Sequence, residues 1–331
     1  MHISHRQRIE ALISGNSLDQ LPVAFWRHFP IDDQNPNRLA SATIHFQDSF
    51  NMDIIKVSPS SSFCLKDWGV KDIWVENTEG TRDYISSPIE NVSDLRNLPI
   101  LDPKIGFLGN QLETLSILSE YYYPKAPLIQ TIFSPLAQLK NLLGKNNLLN
   151  AIRIDPNSVK KGLDTIVQST IGFLKACKKI KIDGIFFAVQ HASSELLSKE
   201  EFISFGKAYA EKLFPYINKF WLNLLHIHGK HIYFDAVIDY PMQIVNWHDR
   251  DTAPNLNTAK KMTNKILCGG LSRIDTMVHG NDETIKDQIN DAVSQTNMDK
   301  IILGTGCVLP IVTPFGNIKF AIDYARSLSS R

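Results

Sequence analysis

The sequence predicts an α/β protein, a single (β/α)8 (TIM) barrel over residues 1–331 with an insertion after the second strand. Three observations carry this expectation. Eight short apolar runs are spaced along the chain. Most are too continuously apolar for a strand with one wet face, so both faces are expected to be buried, as in a parallel sheet. Helical patterns fill the intervals, and strands alternating with helices build a parallel sheet with the helices outside it.

The stretch "MHISHRQRIEALISGNSLDQ" carries a charge every few residues and reads as a short amphipathic helix, without the apolar centre of a signal peptide. The first strand is expected at 22–29 ("PVAFWRHF") and the second at 53–58 ("DIIKVS"). Residues 59–126 fit the alternation poorly. "TEGTRDYISSPIENVSDL" reads as loop and hairpin and marks the insertion. The third and fourth strands are expected at 128–133 and 184–190, with a helix between them that starts on Asp155 as N-cap and Pro156 in the first turn. A second helix, "SKEEFISFGKAYAEKLFPYI", opens with Ser198 and Glu201 in capping-box spacing. Strands follow at 222–228, 243–248, 265–271 and 300–306, with amphipathic helices at 281–296 and 314–328. An open doubly wound sheet is the rival architecture, but "GTG" and "CGG" fall short of its glycine fingerprint.

Of the 331 residues, 43% are apolar and 21% charged, and the formal charge is +1. No basic excess points to nucleic acid, and no apolar run approaches the ~20 residues of a membrane span. The four cysteines, Cys64, Cys177, Cys268 and Cys307, stand too far apart for a disulfide framework, which suits a reduced, cytoplasmic protein.

A barrel carries its site at the C-terminal ends of its strands. Those ends read Arg27 and His28; Lys56, Ser58 and Ser60; Gln190 and His191; His226 and His228; Asn246, Trp247 and His248; Cys268; and Cys307. Five of the ten histidines fall there. His226 and His228 alternate on one strand, so both rings point the same way and can grip one metal ion. Cys307, from the neighbouring "GTGCVLP", would add a thiolate, a donor mixture that zinc accepts while keeping a position for substrate. Gly229 would turn the chain away, and Gly306 would let backbone come close beside Cys307. The alternative is two half-buried imidazoles hydrogen-bonded to their neighbours. A buried Arg27 needs either an internal carboxylate or an anionic ligand. Asp249 and Arg250 are expected in a loop network, Cys64, Cys177 and Cys268 as packed thiols, and His2, His5, His45, His231 and His279 as surface or capping residues.

Taken together, "PVAFWRH", "FNMDIIKVSPS" with "DWG", "DGIFFAVQ", "LLHIHG", "VNWHDR", "CGGL" and "ILGTGCVLPIVTPFGNI" resemble the uroporphyrinogen decarboxylase superfamily over nearly the whole chain. That superfamily covers the decarboxylase of haem biosynthesis and zinc-dependent methyltransferases acting on coenzyme M and methylcobalamin. The resemblance implies a (β/α)8 barrel. Against the decarboxylase, Ile31 stands where a second arginine is expected, Ser58-Pro59-Ser60 where a carboxylate is, and Gly304-Thr305-Gly306 where Gly-His-Gly is. The methyltransferase branch has His-x-Cys and a distant Cys; His226 and Cys307 match, and His228 replaces the middle Cys.

The resemblance therefore implies a zinc-dependent methyltransferase that moves a methyl group between a corrinoid and a small thiol or other soft nucleophile. Zinc would be held by His226, His228 and Cys307, with Gln190 or His191 as a weak fourth ligand. Arg27, helped by His28, would hold an anionic tail of the substrate. Arg27, His28, Gln190 and His191 are thus the expected catalytic set, and Asn246 and His248 the expected cofactor contacts. A methylated corrinoid is the expected co-substrate, a corrinoid protein the expected partner, and a homodimer the expected assembly, with no nucleic acid and no membrane. Two alternatives stand: a cofactor-free decarboxylase of porphyrin biosynthesis, and a non-catalytic barrel that carries a tetrapyrrole or corrinoid.

Overall fold

The computed structural model describes residues 3–144 and 147–328, so the expectation for His2 lies outside the described residues. Seven strands form one parallel sheet: β1 (Ile55–Val57), β4 (Leu128–Phe133), β5 (Gly184–Val189), β6 (Leu222–Ile227), β7 (Ile244–Trp247), β8 (Ile266–Leu271) and β9 (Ile301–Thr305), paired in that order. Every residue of these strands is buried, which is why their sequences are apolar on both parities. The sheet curls as part of a barrel.

Residues 22–27, expected as the first strand, run beside β9 but form only two isolated parallel bridges, Val23 with Leu303 and Arg27 with Leu309. On the other side Val23 O accepts from Asp53 N just before β1. Two backbone facts interrupt the ladder. Pro22 has no N–H to give, and the Phe25 N–H is spent on the Met52 sulfur, at 3.3 Å.

The segment after β1 contains a two-stranded antiparallel ribbon, β2 (Lys71–Ile73) with β3 (Asp83–Ser86), where the sequence reads as a hairpin. A buried charge network holds its base: Asp72 forms ion pairs with Arg82 Nε at 3.1 Å and Lys66 Nζ at 2.9 Å, and accepts a short bond from Ser62. Its loop is tied down on the far side. Both outer nitrogens of Arg273 donate to Glu79 at 2.6 Å, and Ile311 N donates to Thr78 O.

The helix Pro156–Cys177 starts as expected, with Asp155 accepting from Ser158 N. The helix expected at 198–217 is broken. The Ser198–Glu201 capping box forms, but Phe202–Lys207 widens into a π-turn, and Pro215 restarts a separate short helix at Phe214–Ile217. Asp249 and Arg250 form the expected loop network, on Gly270 N and Gly270 O respectively. His45, His231 and His279 are exposed as expected. His5 is half-buried: its Nδ1 donates at 2.8 Å to the buried Asp53, which also accepts from Arg8 and Val23 N, and so staples the N-terminal helix to the start of β1. No helix among the described residues is long and apolar enough to cross a membrane.

Candidate metal centre

Parallel pairing sets the site. His226 on β6 is in register with Asn246 on β7, and Asn246 with Cys268 on β8. Two residues further on, His228 and His248 leave their strands side by side, with His228 Nδ1 and His248 Nε2 3.3 Å apart. Cys307 arrives from the end of β9. Its Sγ is 3.7 Å from His226 Nε2 and 3.7 Å from His228 Nδ1. One donor atom from each of His226, His228, His248 and Cys307 lies within 4.8 Å of all the others.

Glycine makes this approach possible. β8 separates β9 from β7, yet Gly306 touches β7's end directly: a Cβ there would stand 2.6 Å from His248 Cα and 2.7 Å from Trp247 O. Thr305 Oγ1 then donates to Cys307 O at 2.7 Å and fixes the turn that presents the sulfur. Gly229 has φ +107°, a conformation that suits glycine, and turns the chain away after His228.

Asn246 lies behind the cluster. Fully buried, it donates from Nδ2 to Cys268 O and Thr305 O, at 2.8 and 3.0 Å. Its Oδ1 must therefore accept from His226 Nδ1, 2.6 Å away. The His226 proton is pinned on Nδ1 and the Nε2 lone pair faces Cys307, the orientation that a metal ligand needs. Asn246, expected to contact a cofactor, instead positions His226. His248 joins the donor set itself, backed by Asp251 Oδ2 at 3.4 Å, whereas His191 stands outside it.

The electrostatics favour an anionic sulfur. Burial alone would raise the Cys307 thiol, but the facing imidazoles, His226 first, outweigh it and hold the thiol well below its usual range. Burial pushes His226 down; for His248 burial also acts downward, but its contact with Cys307 prevails and the ring is raised. Cys64, Cys177 and Cys268 behave oppositely, since burial raises each thiol, Cys64 to about 12. They are the packed thiols that the sequence suggests.

The donor set fits a metal ion. A tetrahedron with metal–nitrogen bonds of about 2.0 Å and a metal–sulfur bond of about 2.3 Å has edges of roughly 3.3 Å between nitrogens and 3.5 Å from nitrogen to sulfur. Three of the six spacings found are 3.3, 3.7 and 3.7 Å, and all lie within 4.8 Å. Three nitrogens and one thiol sulfur are also donors that zinc takes readily.

Above the cluster opens a cavity of about 480 Å³. His28, Gln190 and His191 line it, as does Phe186, whose ring stacks on His226 at 5.2 Å. Arg27 does not. It lines a separate cleft with Asp32 and Arg38, and its Nε donates to His28 O at 3.3 Å. Alternation explains the correction, because Trp26 and His28 face the cavity and the residue between them faces away. Lys56, a strand-end residue given no role from sequence, stands on the cavity wall instead.

Burial, and then Lys140, lower His191 from 6.5 to about 3. The folded protein then refuses a proton that the unfolded chain accepts below pH 6.5, so stability is full above 6.5 and declines as the pH falls toward 3. Denaturant titration of the metal-free protein at pH 7.5 and pH 4.5 should show a loss to which this residue contributes about 3 kcal/mol. H191Q should remove that share; an unchanged pH profile in H191Q would refute the assignment.

The model of the family described as uroporphyrinogen decarboxylase (URO-D) matches residues 4–328. The chain is similar to the methylcobamide:CoM methyltransferase MtbA of Methanosarcina mazei, at 24% identity over 92% of this chain and 87% of that one. It is likewise similar to the methylcobamide:CoM methyltransferase MtaA of Methanosarcina barkeri (strain Fusaro), at 24% identity over 95% of each. Among solved structures, one described as a methyltransferase from Methanosarcina mazei superposes with a TM-score of 0.84 at 18% identity, covering 98% of this chain and 99% of that one. That last likeness speaks to the fold.

Proposed function

The chain belongs to the uroporphyrinogen decarboxylase family, and from that premise we propose that it is a zinc-dependent methyltransferase passing a methyl group between a corrinoid and a small thiol. The observation that carries this reading is the convergence of His226, His228, His248 and Cys307, three of which, His226, His228 and Cys307, line the cavity. The curated relatives at 24% identity are named as methyltransferases between a methylcobamide and coenzyme M, which supports the same reaction class here.

His226, His228, His248 and Cys307 would hold the zinc, which when bound lowers the pKa of a thiol that reaches it. Asn246 keeps His226 in the tautomer that binds. Asp251 backs His248 Nδ1 and would steady the ring as a ligand. Phe186, stacked on His226, keeps one wall apolar, and in such surroundings the field of the site is screened less than in water. His28, at about 4 because of burial and then Lys56, is neutral at pH 7 and offers the substrate a hydrogen bond without charge. Gln190 and His191 line the entrance and would orient the thiol or the corrinoid face. A corrinoid protein is the partner this chemistry calls for, and a homodimer is an assembly to test.

The decarboxylase reading draws less support. Arg27 faces another cleft, and Ile31, where a second arginine would be wanted, is 51% exposed. An eight-carboxylate substrate needs several cations on one wall.

Two measurements test the proposal. Protein purified without chelator should contain about one zinc per chain. With methylcobalamin and a thiol it should produce the thioether together with the demethylated cobalamin spectrum. Retention of no metal, or transfer unaffected by a chelator, would overturn it.

A further inference from the structure

We propose that Arg273 is a positioning residue of the metal centre: clasped to Glu79 on the insertion and bonded to Val308 O, it makes the seating of the insertion's loop and the placing of the Cys307 sulfur a single event. The inference rests on the reading of the His226–His228–His248–Cys307 cluster as a metal site, and adds to it a residue outside the donor set.

The loop between β2 and β3 meets the rim of the barrel where the ladder is interrupted. Residues 22–27 make only isolated bridges there, and three successive residues of the loop fasten over them. Thr78 O accepts from Ile311 N at 2.8 Å. Glu79 accepts from both outer nitrogens of Arg273 at 2.6 Å. Gly80, at φ +71°, is seated so closely that a Cβ would stand 2.8 Å from Ile311 Cγ2 and 2.9 Å from His28 Cβ. Glu79, Thr81 and Arg82 line the cavity together with Cys307 and Val308, so the loop is part of its wall.

Arg273 Nη1 carries two hydrogens and spends both. One goes to Glu79 Oε2 at 2.6 Å, the other to Val308 O at 3.1 Å, the carbonyl next to Cys307. The guanidinium is planar, so a swing that releases Glu79 also misaims the bond to Val308. Thr305 Oγ1 fixes the sulfur-bearing turn from within, and Arg273 fixes it from the side of the loop. An exposed ion pair would contribute little. These side chains are only 16% and 32% exposed, and they meet in the bidentate geometry that gives such a pair its direction. Burial works against the Arg273 charge, but Glu79 and then Cys307 outweigh it and raise the guanidinium further. A lysine would keep that charge but could not hold both partners at once.

The test is a cycle of R273M, E79A and the double variant, followed by zinc competition and by the absorption of the cobalt(II)-loaded protein. R273M should weaken zinc binding by about tenfold and diminish the thiolate-to-cobalt charge-transfer band. R273K, with the charge but not the fork, should resemble R273M and not the parent. E79A, which removes a partner of Arg273 and no contact of the turn, should weaken zinc by about threefold, and that loss should vanish in the R273M background. Parent-like affinity and spectrum in R273M, rescue by R273K, or losses that simply add would overturn the proposal. Alkylation of Cys307 by iodoacetamide in metal-free protein separates this inference from the metal reading, with C307A giving the background of the other thiols. The rate should rise at least about tenfold in R273M and in E79A as the loop lifts, whether or not the parent retains zinc. Equal rates would overturn the proposal, and E79A decides if the arginine variants do not fold.

Discussion

Replacing Cys307 by alanine is expected to weaken zinc binding by at least about a thousandfold. The sulfur is the one donor of the set that brings negative charge, and it touches two of the three imidazoles, at 3.7 Å each. Without it the three rings face one another with nothing to offset a divalent charge. Competition with a chromophoric chelator would measure the loss directly. Thermal denaturation gives an independent reading, since a ligand bound at a thousand times its dissociation constant adds about 4 kcal/mol of stability. That increment should vanish in C307A. C268A is the matched control. Cys268 is equally buried and lies on the adjacent strand, but its sulfur packs against Gly304 and takes no part in the cluster. If both variants bound zinc like the parent, the cluster would not be the metal site.

Replacing Asn246 by leucine should cost both stability and metal affinity, by separable routes. The side chain has no exposure, and its amide satisfies three buried groups: His226 Nδ1, Cys268 O and Thr305 O. Leucine of similar volume would leave all three unpaired, at about 1–3 kcal/mol each before relaxation. A net loss of about 3–4 kcal/mol in urea denaturation of the metal-free protein is expected. The second route is tautomeric. With no acceptor behind it, His226 is free to place its proton on Nε2 or to rotate, and zinc affinity should fall by about 10- to 100-fold. A variant that lost stability while keeping full zinc affinity would show that Asn246 supports the core and not the ligand.

Much of this was legible in the residues. The strands at 128–133, 184–189 and 222–227 are mostly apolar on both parities, as burial on both faces requires. The pairing of His226 with His228 follows from strand alternation, and Cys307 from its place beyond a glycine at the end of the last strand. Other features depended on what lies across space. The bonds that displace a ladder at 22–27 come from Met52, far along the chain. Arg27 faces a separate cleft because alternation turns it opposite to His28, a parity that the sequence itself carries. His248 looked like a cofactor contact because nothing in one strand reveals the register of the next. Once His226 is set opposite Asn246, His228 and His248 follow as neighbours. Lys56 lines the cavity, and a lysine within an apolar strand shows which face it takes only once the neighbouring strands are in place.

Gly306 carries a consequence for how this molecule tolerates change. Its α-hydrogens occupy space bounded by His248 Cα and Trp247 O, backbone atoms that have nowhere to retreat. Gly316, ten positions on, has nothing within 4 Å. Two glycines of identical chemistry thus sit at opposite ends of a mutational landscape: the smallest enlargement of one prises the sulfur-bearing turn off its neighbour, while the other can be diversified freely. A lineage of this sequence could wander widely in its outer helices and still be held to a hydrogen atom at position 306.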